Sequence, residues 1–250
     1  MATTTGPRDW DAAEYDRLPI PMTGWGAAVV GRMDLRGDER VLDAGCGTGQ
    51  VTSVLRDRLP RGEVVALDGS PSMIDAARRR LGDDRVTYLV HDLLEPLRIA
   101  PVDAILSTAT FHWIADHDRL FRNLAAALRP GGRLEAQCGG RGNIASVERA
   151  VAGLGRAGGS GSKTYAGPEE TTERLTRAGF VDVTCWLRPE PTVIPPTDLE
   201  SYLATICLGG IVDGMATEAA RSFVHEVAAA MPDTTIDYVR LEIGATRGDA

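Results

Sequence analysis

A carboxylate and three alternating glycines stand together near the start of the chain. Residues 40–50 read Arg-Val-Leu-Asp-Ala-Gly-Cys-Gly-Thr-Gly-Gln, so an apolar run ends in Asp43 and continues into Gly45, Gly47 and Gly49. Glycine adopts positive φ readily, and without a side chain it lets a ligand press against the backbone amides. The spacing G-x-G-x-G differs from the G-x-G-x-x-G of dinucleotide sites. Asp43 would repel a pyrophosphate but would suit a ligand that carries an ammonium or sulfonium group.

A second carboxylate follows this loop at a spacing typical of nucleotide-like ligands. Glu63–Asp68 reads as a strand that ends in an acid. Rossmann-like sites place an acidic group about 20 residues after the glycines, where it accepts hydrogen bonds from ribose hydroxyls. Ser70 is suited to cap the next helix, and Pro71 to its first position. The alternatives are a glycine turn without a ligand and an ordinary solvated strand end at Asp68.

Strands and helices must bring these groups to one edge of a sheet. The glycines are followed by Val51, Val54, Leu55 and Leu59, which have the spacing of an amphipathic helix. Further apolar runs predict strands at Val86–Val90, 102–107 and 133–138, with a helix over 116–128 before the last of them. A strand, a glycine loop and a helix in that order form a crevice above the strand ends.

In this order the motifs resemble the class I S-adenosylmethionine-dependent methyltransferases. The resemblance covers residues 38–140 and includes the turn Leu-Arg-Pro-Gly-Gly at 128–132 before the fifth strand. It implies an α/β, Rossmann-like three-layer sandwich with a seven-stranded, mostly parallel sheet whose last strand is antiparallel. It also implies S-adenosyl-L-methionine as the cofactor.

The resemblance assigns cofactor contacts along the first four strands. Met73 would rest under the adenine, and Asp92 would lie near the adenine amino group. Tyr15, in an N-terminal Ala-x-x-Tyr segment, is a candidate contact for the methionine carboxylate, although it can equally belong to a helix that merely packs on the sheet. The full predicted set is Tyr15, Asp43, Gly45, Cys46, Gly47, Gln50, Asp68, Gly69, Met73, Asp92, Leu93 and Ser107.

The acceptor side is expected beyond the fourth strand. The pair His112-Trp113 and a helical insertion over 198–207 and 218–231 resemble the trans-aconitate methyltransferase branch of the superfamily. His112 is the candidate catalytic residue, either as a base for an alcohol, phenol or amine or as a residue that only orients the acceptor. The predicted substrate contacts are His112, Trp113, Arg141 and Arg240, and either arginine can equally be a surface charge.

The chain is expected to form one methyltransferase domain over residues 1–250. Residues 1–37 would form an N-terminal helical cap, 38–140 the cofactor-binding core, 141–235 the substrate-side elaborations, and 236–250 the last strand and tail. Within the elaborations, a helix is predicted over 168–178 and a strand over 181–186. The glycine-rich segment 139–161, with one helix at 147–154, is predicted to act as a mobile lid.

The composition of the chain limits the classes of molecule that it is expected to bind. A net charge of −8 argues against binding the phosphate backbone of nucleic acids, which requires clustered Lys and Arg. The four cysteines have no metal-binding or disulfide spacing, which fits a reducing cytoplasm, and no metal site is predicted. No segment approaches the length of a membrane span. We expect a cytoplasmic protein with a small-molecule partner, and the sequence leaves its oligomeric state open.

The leading hypothesis is therefore methyl transfer from S-adenosylmethionine to a carboxylate or hydroxyl of a small molecule. An N- or C-methylating tailoring enzyme and a non-catalytic S-adenosylmethionine-binding protein remain open. The absence of an Asn-Pro-Pro-Tyr run after the fourth strand argues against methylation of nucleobase amino groups. A dehydrogenase is disfavoured by the glycine spacing and by Asp43.

Overall fold

The computed structural model describes residues 6–18, 20–155 and 163–249. Its main sheet has seven strands in the spatial order β3-β2-β1-β4-β5-β9-β6. The strands from β1 to β5 pair in parallel, and β9 is antiparallel to both β5 and β6. The predicted fold class is thereby confirmed. The strands are β1 (Arg40–Ala44), β2 (Glu63–Asp68), β3 (Val86–Val90), β4 (Val102–Thr108), β5 (Leu128–Gly139), β6 (Phe180–Pro189) and β9 (Val239–Arg247), and a separate ribbon joins β7 (Thr192–Val193) to β8 (Thr235–Ile236).

Helices cover both faces of the sheet and its carboxyl edge. Among the described residues, no helix combines the length and the apolar character that crossing a membrane requires. The helices are α1 (Ala12–Arg17), α2 (Met22–Arg32), α3 (Gln50–Asp57), α4 (Pro71–Leu81), α5 (His117–Ala127), α6 (Ala145–Gly153), α7 (Pro168–Arg177), α8 (Leu199–Tyr202), α9 (Gly209–Val212) and α10 (Thr217–Ala230), with a 3₁₀ turn at Phe111–Trp113 and a π-helical segment at Leu203–Cys207.

The central strands are apolar along their whole length because both of their faces are covered. Val64, Val65, Ala66 and Leu67 of β2 are almost completely buried. Such continuous apolar runs are typical of parallel strands between two helical layers. At the end of β2 the predicted cap is present, because the Ser70 hydroxyl accepts a hydrogen bond from the Met73 amide.

The N-terminal cap and the insertion share a second core. Trp25 of α2, Tyr202 at the end of α8 and Phe223 of α10 are buried in one cluster, together with residues of α6. The acceptor-side elaborations therefore pack against the N-terminal cap, on the edge of the sheet where the parallel strands end.

The structure differs from the sequence-based boundaries in three places. The last strand begins at Val239 rather than at residue 236, because Asp237 accepts the Ser146 amide and Tyr238 bonds back to Ile236, which turns the chain. The turn at 129–132 lies inside β5 as a register shift. The helix expected over 198–207 is divided into α8 and the π-helical segment. Of the predicted lid, residues 156–161 lie outside the described residues.

Candidate active site

A cavity of about 710 Å³ lies over the carboxyl ends of the parallel strands. One side of it is formed by the glycine loop after β1 and by the residues that follow β2 and β3. The other side is formed by the 3₁₀ turn after β4, by β9, and by the helical insertion. Both halves belong to one continuous space. A ligand on the glycine loop could therefore meet a second molecule inside the same enclosure.

The glycine loop has the conformation that its sequence predicts. Gly45, Gly47 and Gly49 have φ values of 87°, 54° and 81°, a region that favours glycine. A Cβ at Gly45 would come within 2.1 Å of the Thr110 hydroxyl, whereas a Cβ at Gly47 would meet no atom within 4 Å. Gly45 is thus required by the protein's own packing. Gly47 borders open space that a ligand can fill.

Asp68 links the loop to the cavity. Its carboxylate accepts the Gly47 amide and the Ser70 amide, each at 2.9 Å, and the residue lines the cavity. Burial raises the pKa of this carboxyl, while the backbone amides act in the opposite direction. Seven other predicted cofactor contacts also line the cavity, namely Tyr15, Gly45, Gly47, Gly69, Met73, Asp92 and Leu93.

Asp43 lies beneath the loop and does not line the cavity, which corrects its expected position. One of its oxygens accepts the Thr52 hydroxyl at 2.7 Å, and the other has no hydrogen-bond partner among the described residues. Burial raises the pKa of this carboxyl to about 7. Asp43 is instead directed to α3, where Thr52 binds it, and it is buried.

Three more predicted cofactor contacts are also absent from the cavity wall. Ser107 donates to the Ala44 carbonyl at 2.6 Å, and the Gln50 amide donates to Asp16 at 2.7 Å. Cys46 is buried, and its thiol donates to the Gly47 carbonyl. These side chains make their hydrogen bonds within the protein and hold the loop in place, so it is the backbone of the loop that faces the cavity.

Arg240 brings a buried positive charge to the acceptor side. Its side chain is 1% exposed, and it donates to the Gln137 side-chain oxygen at 2.8 Å. The guanidinium packs on the ring of Trp25, 4.9 Å from the ring centroid. Its Nε has no hydrogen-bond partner among the described residues. Arg240 lines the cavity, and a guanidinium removed from bulk water there is suited to bind an anion.

Arg141, the other arginine predicted to contact the substrate, does not line the cavity. Its guanidinium is mostly exposed and lies 3.2 Å from the Glu170 carboxylate at the start of α7. The backbone of Arg141 pairs with Ala166, which directs the side chain outward past Gly167. Arg141 is therefore a surface charge that joins β5 to α7.

Lys163 supplies a second positive charge that sequence reasoning missed. Its ammonium lies 4.5 Å from the centroid of the Trp113 ring and donates to the carbonyls of Ile206 and Cys207 in the π-helical segment. Burial lowers the pKa of this amine to about 8. One signal could have found it, because Lys163 is the single lysine of a chain that otherwise uses arginine.

His112 lines the same cavity as these two cations. It belongs to the 3₁₀ turn, lies on the cavity wall, and stacks on Tyr165 with ring centroids 5.9 Å apart. Its Nδ1 accepts the Gly139 amide at 3.3 Å. Burial, followed by the charges of Arg240 and Lys163, lowers the pKa of the imidazole well below its usual value.

The N-terminal segment covers the cavity from above. Arg8 contacts the Asp213 carboxylate at 2.6 Å, which joins the segment to the residues just after α9. Trp10 makes edge contacts with Trp113 and Tyr15, with ring centroids 4.9 and 5.9 Å apart. The cavity is thus enclosed by elements from opposite ends of the chain. The described residues contain no group of His, Cys, Asp and Glu suited to hold a metal ion.

Comparison with known proteins gives this geometry a family context. A family described as "Methyltransferase domain" matches residues 42–136. The chain is 36% identical over 129 residues to a trans-aconitate 2-methyltransferase of Methylobacterium nodulans, covering 52% of this chain and 49% of that protein. It is 34% identical over 123 residues to a malonyl-[acyl-carrier protein] O-methyltransferase of Anoxybacillus flavithermus, covering 49% and 47%. The chain thus spans about half the length of the curated relatives it matches.

Solved structures support the same fold over more of the chain. Phosphoethanolamine N-methyltransferase 2 of Haemonchus contortus, bound to S-adenosylhomocysteine, has a TM-score of 0.60 at 21% identity, covering 90% of this chain and 53% of that one. The [4+2]-cyclase SpnF has a TM-score of 0.62 at 20% identity, covering 98% and 85%. Because a cyclase and a methyltransferase share this architecture, the reaction has to be inferred from the site rather than from the fold.

Proposed function

We propose that this chain, which belongs to the class I S-adenosylmethionine-dependent methyltransferases, moves a methyl group to an oxygen of a small molecule. The predicted family, with its trans-aconitate branch, is confirmed by the matched domain and relatives. The observation that carries the proposed reaction is the continuous cavity, which runs from the glycine loop and Asp68 to two buried cations and His112.

The donors and acceptors on one side of this cavity fit S-adenosylmethionine. We assign Asp68 to the ribose hydroxyls because its carboxylate lies beside the glycine loop on the cavity wall, and the open space at Gly47 leaves room for a ligand against the backbone. Asp92 and Leu93 follow β3, where the adenine would lie, and Met73 lies at the start of α4. When bound there, the cofactor supplies an electrophilic methyl group on its sulfonium sulfur.

The opposite side favours an anionic acceptor. Arg240 and Lys163 are positively charged, and both are removed from bulk water, where screening would weaken their attraction for an anion. A carboxylate is already ionised at neutral pH and needs no base to become a nucleophile. We therefore favour a carboxylate over a hydroxyl as the acceptor. The acids named in the relatives, trans-aconitate and an acyl-carrier-protein-bound malonyl group, are consistent with this choice.

The contribution of the protein to the reaction is orientation and the exclusion of water. Holding two reacting groups in line can lower a barrier by roughly 7–11 kcal/mol. Trp10, Trp113 and Tyr15 pack together over the cavity, and Arg8 with Asp213 closes the gap beside them. The reacting oxygen would therefore meet the methyl group in an enclosure from which water is largely excluded.

Two measurements test the proposal. Titration calorimetry should detect S-adenosylmethionine and S-adenosylhomocysteine, and a protein that binds neither would contradict it. A screen of acids, phenols and amines with methyl-labelled cofactor should then transfer label to an acid, with trans-aconitate as the first compound. Label on an amine or carbon instead would favour the tailoring alternatives, and binding without transfer to any class would favour a non-catalytic role.

A further inference from the structure

We propose that His112 is held as the neutral imidazole with its proton on Nε2, so that it meets the acceptor as a hydrogen-bond donor and not as a base. This inference rests on the proposed function for the identity of the acceptor. The state of the ring itself follows from the protein's own contacts. It decides between the two roles that the sequence leaves open for this residue.

The backbone fixes the tautomer. A peptide N–H can only donate, so the Gly139 amide requires a lone pair on Nδ1 of His112. In the neutral ring the proton must then lie on Nε2. Backbone contacts fix both partners of this hydrogen bond. The Thr164 amide donates to the His112 carbonyl, and Gly139 is paired with Arg240 between β5 and β9. Nε2 makes no hydrogen bond within the described part of the chain, and His112 itself lines the cavity.

The surroundings oppose a second proton. Protonation would place a hydrogen on Nδ1 and break its bond to Gly139. It would also place a positive charge beside Arg240 and Lys163, with His117 on the neighbouring helix. Tyr165, which stacks on the ring, remains a neutral phenol because burial raises its pKa.

A base must offer a free lone pair, and His112 has none to offer. The lone pair on Nδ1 is used by Gly139, and Nε2 already carries its proton. What the ring can give is an N–H directed at an oxygen of the acceptor. A carboxylate fits this donor because one oxygen can accept the hydrogen bond while the other attacks the methyl carbon.

The proton balance of the step agrees with this role. As the carboxylate oxygen forms its bond to the methyl carbon, the bond from that carbon to sulfur breaks and its electron pair remains on sulfur. The carboxylate becomes a neutral ester and the sulfonium becomes a thioether, so no proton is released. A hydroxyl or amine acceptor would release one, and a residue would have to receive it.

The described cavity wall holds no carboxylate beside His112 that could receive such a proton. The carboxylates on the described wall are Asp68, Asp92 and Asp213; the first two follow β2 and β3, and the third is paired with Arg8. His91 also follows β3, which is three strands from β4 and therefore about 14 Å away. Residues 1–5, 19, 156–162 and 250 contain no Asp, Glu, His, Cys, Tyr or Lys.

Nuclear magnetic resonance of the whole chain, without cofactor, tests the ring state directly. The chain has four histidines, so two-bond ¹H–¹⁵N spectra of ¹⁵N-histidine-labelled protein give few signals, which variants of His91, His117 and His225 assign by elimination. We expect the Nε2–H pattern for His112 with no titration between pH 5.5 and 9. An Nδ1–H pattern, or a titration in that range, would overturn the inference whatever the protein methylates.

Kinetics with the acid identified in the label screen test the role. His112→Gln retains an N–H near the position of Nε2, whereas His112→Leu does not. We expect Gln to keep kcat/KM within about tenfold of wild type and Leu to lose about 100-fold, with unchanged S-adenosylhomocysteine affinity in both. Wild-type kcat/KM should show no acid limb between pH 5.5 and 7.5. His112 would instead be a base if wild type shows an acid limb in this range that both variants lack, and if His112→Gln is as impaired as His112→Leu. Transfer to no acid at all would contradict the proposed function and leave the ring state to the spectra.

Discussion

Asp68 serves the protein and the proposed ligand with the same carboxylate. It bonds the amides of Gly47 and Ser70 while lining the cavity, so it orders the glycine loop and retains further lone pairs for ligand hydroxyls. The parallel pairing of β1 with β2 brings Asp68 next to glycines that precede it by two dozen residues or fewer. An acid at this spacing after the glycines therefore predicts a position beside the loop.

Replacement of Asp68 should weaken cofactor binding. We expect Asp68→Asn to raise the Kd for S-adenosylhomocysteine by about 10–100-fold, equivalent to the roughly 1.5–3 kcal/mol of hydrogen bonds to a charged group. Calorimetry measures the change in Kd, and Asp57→Asn, at an exposed position of α3, is the matched control. An unchanged Kd would rule out a ribose contact.

Lys163 is a residue whose charge should make acceptor binding depend on pH. Its pKa is lowered to about 8, so the ammonium is charged below pH 8 and loses its charge as the pH rises through that value. The titratable groups around it are Arg8, Glu148 and Cys207. Affinity for an anionic acceptor should therefore fall on the alkaline side.

For a carboxylate acceptor, we expect KM to rise by up to tenfold per pH unit above about pH 8. Lys163→Arg should remove this rise, because a guanidinium stays charged, and Lys163→Met should have a high KM at every pH. The single lysine also permits a direct measurement, since ¹³C-lysine-labelled protein gives one side-chain signal to titrate. A signal that titrates near pH 10.5 would contradict the proposed cause.

At the scale of elements, the enclosure depends on contacts between segments that are distant in the chain. The Arg8 guanidinium joins the N-terminal segment to Asp213, and it also donates to the Thr205 carbonyl in the π-helical segment. Asp16, at the end of α1, accepts from Thr48 and from Arg80. The N-terminal cap is therefore attached to both the insertion and the cofactor loop, and opening of the cavity requires separation of these contacts.

The contact between Arg8 and Asp213 should slow ligand release. Because both side chains are partly exposed, we expect a modest contribution of about 0.5–1 kcal/mol, so Arg8→Met and Asp213→Asn should each raise the release rate of S-adenosylhomocysteine by roughly two- to fivefold. The double variant should resemble Arg8→Met, because Asp213 acts through Arg8, whereas Arg8 also bonds the Thr205 carbonyl. Stopped-flow tryptophan fluorescence measures release through Trp10 and Trp113, with the exposed Arg79→Met as the control. Additive effects would indicate that the residues act separately.

At the scale of the whole molecule, the buried acid at the end of β1 carries a cost in stability. The pKa of Asp43 is raised from its ordinary value of 3.8 to about 7, so the folded protein binds this proton more tightly than the unfolded chain does. Between these two values, the free energy of unfolding contributed by Asp43 therefore falls as pH rises, and above pH 7 the loss is complete.

Asp43→Asn should accordingly stabilise the protein against unfolding at pH 8. We expect a gain on the order of 1–3 kcal/mol, which disappears near pH 4, where the wild-type carboxyl is protonated in the folded state. Thermal unfolding at the two pH values measures the difference, and Asp75→Asn on the exposed face of α4 is the control. A variant that is less stable than wild type at pH 8 would show that the charge is compensated in the folded protein.

The sequence alone determined the strands, the helices and the conformation of the glycine loop. These features depend on consecutive residues and can therefore be recognised in the sequence. They are the alternating glycines at positive φ, the acid at the end of β2 and the apolar runs of strand length. The mostly parallel sheet and its antiparallel β9 were predicted from the family resemblance, because local patterns give the strands but not their arrangement.

Tertiary structure alone decided which side chains face the cavity. Asp43, Cys46, Gln50 and Ser107 lie in the right segments but bond to other parts of the protein, and Arg141 points outward, because side-chain direction depends on neighbours that are distant in sequence. Lys163 reaches the site through contacts more than 40 residues away. Charge and hydrogen bonding act through space, so no local pattern could assemble the acceptor side or set the tautomer of His112.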